Sequence, residues 1–206
     1  MKTNFKGRDY FTLICGIFCI VYAIASYGIY IYIGNWNQLF PLCYLVLLIS
    51  GIGMVMKNGD LILSQINILF IIHFFWTIDF FSFLIFGKYL LGVTSYFFTE
   101  TLVFQIISLQ HIIFIPLSLI CLYLIKSKKK YTSLLSILEV CIVFPLTFFF
   151  TPSQENINCV FKPCIDLNIP IPYFIAWILT FALLIIFTNW VIGMIPIFFK
   201  NNKKKR

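Results

Sequence analysis

Thr101–Ile125 reads Thr-Leu-Val-Phe-Gln-Ile-Ile-Ser-Leu-Gln-His-Ile-Ile-Phe-Ile-Pro-Leu-Ser-Leu-Ile-Cys-Leu-Tyr-Leu-Ile. It holds no Asp, Glu, Lys or Arg and is long enough to cross the roughly 30 Å hydrocarbon layer of a bilayer at about 1.5 Å per residue. One ionisable side chain, His111, stands near its middle. Placing a strongly polar group at that depth costs roughly 2–3 kcal/mol on insertion scales, so such a residue is expected to face a partner or a wet cavity.

Five further runs of the same kind flank this one: Tyr10–Ile33, Leu39–Met56, Leu61–Phe86, Tyr131–Thr151 and Pro172–Phe199. The third and sixth spans exceed the minimum length, so tilt or a break is expected to take up the excess. The composition agrees, with 61% hydrophobic and only 11% charged residues and with 25 Phe and 11 Tyr, which excludes an ordinary soluble domain. The expectation is an all-α polytopic membrane protein, a single integral membrane domain over residues 1–206 built as a bundle of six transmembrane helices.

The net charge of +8 follows from topology. With a cytoplasmic N-terminus, Lys2, Lys6, Arg8, Lys57, the Lys126–Lys130 cluster, Lys200 and Lys203–Arg206 share the cytoplasmic side, and only Lys88 and Lys162 fall outside. That is the asymmetry of the positive-inside rule, and it puts both termini in the cytoplasm. The basic surplus therefore implies contact with anionic lipid headgroups and membrane lipids as partners, with no nucleic acid. Phe-, Ile- and Lys-rich usage suggests an AT-rich genome and a prokaryotic plasma membrane.

The longest segment between spans is the outer loop Pro152–Ile171, whose Pro and Asn density predicts irregular turns. Cys159 and Cys164 stand five apart in it, and spacing alone leaves open whether they are bonded. The Tyr- and Phe-rich Gly87–Phe98 is expected to lie in the interface as a short helix or re-entrant piece.

Polar residues inside the spans carry the functional information. Counted from the outer ends of their helices, Cys43 lies about 6 Å deep and His111 about 15 Å. His73 stands near the middle of the third span and Asp79 nearer its outer end; six residues apart, they point about 120° from each other. With Asn67, Gln110 and Glu139 they suggest a polar chamber opening to the outer leaflet. A thiol beside an imidazole is the smallest nucleophile and base pair: the base removes the thiol proton and the thiolate attacks a carbonyl to give a thioester. Each residue also has a plainer explanation, since intramembrane Cys commonly packs as a small residue and intramembrane His commonly hydrogen-bonds a neighbouring helix.

Three segments carry a family resemblance: Gln-Leu-Phe-Pro-Leu-Cys-Tyr over 38–44, Leu-Gln-His-Ile-Ile-Phe-Ile-Pro-Leu over 109–117, and Glu-Asn-Ile-Asn-Cys-Val-Phe-Lys-Pro-Cys over 155–164 followed by Pro-Tyr-Phe-Ile-Ala-Trp over 172–177. In content and order they resemble a family of six- to seven-helix Cys–His membrane acyltransferases and its bacterial YwaF-type relatives. A more distant similarity is to the androgen-induced six-helix lipid hydrolases, which use Thr as nucleophile. Tyr44 departs from the family's pattern, standing where a polar residue is common. The resemblance implies Cys43 as acyl-accepting nucleophile and His111 as its base, acting on lipid acyl groups. Roles for His73 and Asp79 in orienting the base or lining the headgroup site come from the residues alone. Oxyanion donors are expected from Gln110, Asn67 or backbone freed by a break at Pro116.

Two other classes compete. A small-solute or proton transporter would also keep His73, Asp79, His111 and Glu139 in the membrane, although no internal repeat accompanies them. A non-catalytic assembly protein would keep them for packing. No His-x-x-x-His or Cys-x-x-Cys spacing points to a metal, and no cofactor is expected.

Overall fold

The computed structural model describes residues 7–164 and 171–200. Lys2, Lys6 and Lys203–Arg206 lie outside the described residues, as does 165–170 of the outer loop. The described residues form helices joined by short connections, with no strand beyond one isolated bridge pairing Ser127 with Phe199. Six helical segments are long and apolar enough to cross a membrane: Gly7–Tyr32, Trp36–Val55, Gly59–Phe86, Leu102–Ile125, Thr132–Phe150 and Tyr173–Gly193.

The first span is α1 (Gly7–Tyr32). The second opens with a 3₁₀ turn at Trp36–Leu39 and continues as α2 (Leu42–Val55). α3 (Gly59–Phe86) runs without interruption, so it takes up its length as one long rod. The sixth span does break: α7 (Tyr173–Gly193) stops before Pro196, whose ring cannot continue an α-helix, and the chain turns through Pro196–Phe198.

The fourth span is interrupted where the sequence did not indicate. It consists of α4 (Leu102–Ser108) and α5 (Gln110–Ile125), parted at Leu109, while Pro116 is carried inside α5. The break therefore precedes His111 instead of following it. A proline inside a helix removes only its own N–H bond, and neighbouring helices accommodate that loss in a bundle.

α3 is the centre of the bundle. Every residue from Ile62 to Leu69 is buried, which is possible only where neighbours cover all sides of a helix. α2, α5, α6 (Thr132–Phe150) and α7 supply that cover, and α1 lies outside against α2.

One end of the bundle is basic and tied by Asp60. Its carboxylate accepts from the Ser127 hydroxyl, from Lys128 N at 2.7 Å and from Lys129 N at 3.0 Å. Asn58 caps α3 by accepting from Asp60 N and Leu61 N. Ser127 exchanges backbone bonds with Phe198 and Lys200, and Lys57 pairs with Asp9, so α1 begins and α7 ends on this same side.

At the other end the loop over 152–164 is held down by Asn158. Its Oδ1 accepts from Leu42 N at 2.7 Å, and its Nδ2 donates to Phe40 O and to Thr147 Oγ1. Pro41 stands at the N-cap of α2, where it has no side-chain oxygen to offer, so a distant asparagine satisfies that helix start instead. Asn158→Ala leaves a backbone donor and a backbone acceptor without partners. We expect it to lower stability by about 2–4 kcal/mol, measured as a shifted midpoint in denaturant titration of the micellar protein.

The segment Gly87–Phe98 forms neither a helix nor a re-entrant hairpin. It is a string of turns folded onto Asp79, which is fully buried near the end of α3. Asp79 accepts from Leu91 N at 2.6 Å, Gly92 N at 3.1 Å, Thr94 N at 2.9 Å and Thr94 Oγ1 at 2.8 Å. Backbone groups that find partners on a carboxylate need no helix to satisfy them.

Candidate functional site

The break at Leu109 shapes the surroundings of His111. Ile112 N and Ile113 N both bond to Leu109 O, so the Ser108 carbonyl is left over from the helical ladder. The His111 ring takes it, with Nδ1 2.7 Å from Ser108 O. A carbonyl oxygen only accepts, so Nδ1 carries the proton in the neutral ring and Nε2 keeps its lone pair.

Two further rings fix the imidazole plane. Trp76 stacks on His111 with centroids 4.8 Å apart and planes 17° from parallel, and His73 lies on it at 4.7 Å. Trp76 is in turn held by donating to Tyr96 Oη at 3.1 Å. Burial raises the Tyr96 phenol above its ordinary value, so it stays a neutral hydroxyl able to accept that bond. Tyr96 belongs to the loop that Asp79 anchors. Asp79 therefore reaches the imidazole only through the loop and Trp76, and it makes no direct contact that would orient the base.

Cys43, His73 and His111 line one cavity of about 450 Å³ at the disulfide end of the bundle. Its remaining wall is largely apolar and aromatic, including Trp76, Trp177 and Phe181, and its rim includes Leu91, Asn158, Cys159 and Cys164. Four helices and two loops thus bring together residues far apart in sequence. Cys43 arrives on the first turn of α2, at the helix start that Asn158 caps. Cys159 and Cys164 are joined in a disulfide with Cα atoms 5.5 Å apart, which resolves the pairing that spacing left open.

Several polar atoms here have no partner. Both ring nitrogens of His73 are buried without a hydrogen bond, as are both ends of the Gln110 carboxamide. Gln110 lies beside the Cys43 sulfur without a bond of ordinary geometry to another polar group. Buried groups of this kind are uncommon and mark places where water or a ligand completes the structure.

The other polar residues singled out from the sequence sit elsewhere. Asn67 donates to Asn189 Oδ1 at 3.4 Å, and Thr132 donates to the same oxygen at 3.0 Å. Glu139 accepts from Gln65 Nε2 at 2.8 Å. These residues tie α3 to α6 and α7 away from the cavity, so Asn67 is not an oxyanion donor for Cys43. Gln65 Oε1 and the second carboxylate oxygen of Glu139, together with Asn67 Oδ1 and Thr188 Oγ1, are left unpartnered. Gln65 and Asn189 escaped the sequence reading, although a carboxamide within an apolar run is itself the signal that would have found them. Trp76 and Asn158 carried no such signal, because a tryptophan in a span and an asparagine in a loop are ordinary there.

Among the described residues no group of three or more His, Cys, Asp or Glu side chains is arranged to hold a metal ion. The chain matches no family model, and no curated protein or solved structure is significantly similar to it.

Proposed function

We propose that the protein is an integral-membrane enzyme that transfers or hydrolyses lipid acyl esters, with Cys43 as nucleophile and His111 as base. The observation that supports this reading is the shared cavity: a thiol and an imidazole with an unencumbered Nε2 line a space of about 450 Å³ whose walls are otherwise suited to acyl chains. His111 Nε2 takes the thiol proton, and the thiolate adds to the ester carbonyl. The collapsing intermediate releases the alcohol, which recovers the proton from the imidazolium, and leaves an acyl thioester on Cys43. A second hydroxyl or water then accepts the acyl group by the reverse route. The unpartnered Gln110 carboxamide beside Cys43 is the natural source of a donor to the oxyanion.

In this reading the basic end faces the cytoplasm of a prokaryotic plasma membrane, as the positive-inside bias favours, and the cavity faces the outer leaflet. Ester carbonyls lie just below the headgroups, and their chains enter sideways between apolar helices.

The test is to reconstitute the protein in vesicles whose phospholipid carries an alkyne-tagged acyl chain and to map hydroxylamine-labile label on the protein. Cys43 carries the label in the wild type and none remains in Cys43→Ala; His111→Gln slows labelling by about 10²-fold or more. Label that survives Cys43→Ala overturns the assignment. Proton flux across the same vesicles that is lost in His111→Ala but kept in Cys43→Ala replaces it with transport.

A further inference from the structure

The acyl reading leaves one feature of the cavity unused. Cys43 shares its wall with a disulfide, Cys159–Cys164. The neighbours of these cysteines are in direct contact: Leu42 N, one residue before Cys43, donates to Asn158 Oδ1, one residue before Cys159. The loop is held in that position at a cost. Asn156, Asn158 and Cys159 have φ of +46°, +53° and +54°, a left-handed conformation that residues with a Cβ adopt rarely and that persists only where surrounding bonds impose it. Asn158 reaches Leu42, Phe40 and Thr147, Trp177 Nε1 donates to Asn158 O at 2.8 Å, and Tyr173 donates to Cys159 O at 2.6 Å. These bonds hold the disulfide loop against the start of α2, so the disulfide and the free thiol of Cys43 line the same cavity.

We propose that this cavity carries out thiol–disulfide exchange, with Cys43 as the attacking thiol and Cys159–Cys164 as the disulfide attacked. His111 Nε2 accepts the Cys43 proton. The thiolate attacks Cys159 Sγ in line with the existing bond, a Cys43–Cys159 disulfide forms, and the Cys159–Cys164 bond breaks with its electron pair leaving on Cys164. One thiolate is consumed and one produced, so no external oxidant enters. Cys164 is the exposed member of the pair, so the leaving thiolate emerges toward solution. The partner class is a thiol reductant: two of its thiols reduce the Cys43–Cys159 bond and leave as one disulfide, with Cys43 and Cys159 returned to thiols. The exchange does not depend on acyl transfer; where both operate, the mixed disulfide masks the acyl nucleophile.

Two measurements test it. In the wild type, the protein is incubated in lipid vesicles at mildly alkaline pH with N-ethylmaleimide, and the adducts and disulfides are mapped by mass spectrometry. Exchange gives alkylated Cys164 together with a Cys43–Cys159 peptide, whereas adduct on Cys43 alone with an intact Cys159–Cys164 bond overturns the proposal. In the second, Cys164→Ser removes the leaving group and is treated with oxidised glutathione. Cys43 then becomes resistant to N-ethylmaleimide through a bond to Cys159, and dithiothreitol restores its reactivity. A glutathione adduct on Cys159 with Cys43 still free overturns it. The wild-type mapping stands even if that variant folds poorly. Acyl labelling read in parallel separates the two ideas: exchange without acyl label removes the acyl assignment alone, and acyl label without exchange removes this one alone.

Discussion

Replacement of Asp79 by Ala releases the 87–98 segment and lowers stability by about 3–5 kcal/mol, the largest loss expected for any single polar residue here. The carboxylate is fully buried and accepts four hydrogen bonds from Leu91, Gly92 and Thr94. Removing it takes the acceptor from three backbone N–H donors; that of the buried Thr94 is stranded at about 1–3 kcal/mol, and those of the exposed Leu91 and Gly92 cost less because water reaches them. The readout is twofold. Denaturant titration in micelles gives the stability change, and trypsin cleavage after the exposed Lys88 reports the loop directly. Asp79→Asn keeps one acceptor oxygen and falls between the wild type and Asp79→Ala in both assays. An unchanged cleavage rate in Asp79→Ala means that the loop is held by something else. Because Tyr96 on this loop supports Trp76, and Trp76 stacks on His111, the same variant disorders the imidazole without touching it.

Gly51→Val separates α1 from α2 at a cost of about 3 kcal/mol. At Gly51 a Cβ would stand 2.8 Å from Gly16 O, 2.9 Å from Ile20 Cγ1 and 3.0 Å from Cys19 Cβ; at Gly16 the reciprocal Cβ would stand 2.8 Å from Gly51 O. The nearest obstacle in both cases is backbone, which cannot rotate away. In a bilayer the surrounding lipid is as apolar as the helices, so association depends on the close fit that small residues permit. α1 contacts the rest of the bundle mainly through α2, and losing that fit frees the whole helix. Hydrogen exchange restricted to α1 that rises in Gly51→Val, while α3 stays protected, verifies the account. Uniform exchange across the bundle contradicts it.

The placement of the candidate site residues shows where sequence reasoning stops. Cys43 and His111 were legible as chemistry-bearing residues because a thiol and an imidazole stand out in apolar spans. Their common cavity was not, since it depends on how α2 and the fourth span pack against α3. Asp79 shows the opposite failure. In sequence it is a carboxylate six residues from a histidine, suited to orient a base, whereas in the fold its oxygens are taken by the backbone of the 87–98 loop and it meets no imidazole directly. Pro116 misled for a local reason: its ring suggested the break, yet the chain parts at Leu109, where the freed Ser108 carbonyl has a ring nitrogen to accept from.

What sequence alone determined is the six-span helical architecture and the gathering of Lys57 and the Lys126–Lys130 cluster at one end. These follow from length, hydropathy and charge counted along the chain, and they are properties of each segment taken singly. Tertiary structure alone decided that Asn158 starts α2, that Asp79 holds a loop, that Cys159 bonds Cys164, and that both stand at the same cavity as Cys43, His73 and His111. In an apolar span every face looks alike to a periodicity argument, so which face meets which neighbour is set by packing around α3 and by the few polar atoms that must find partners there.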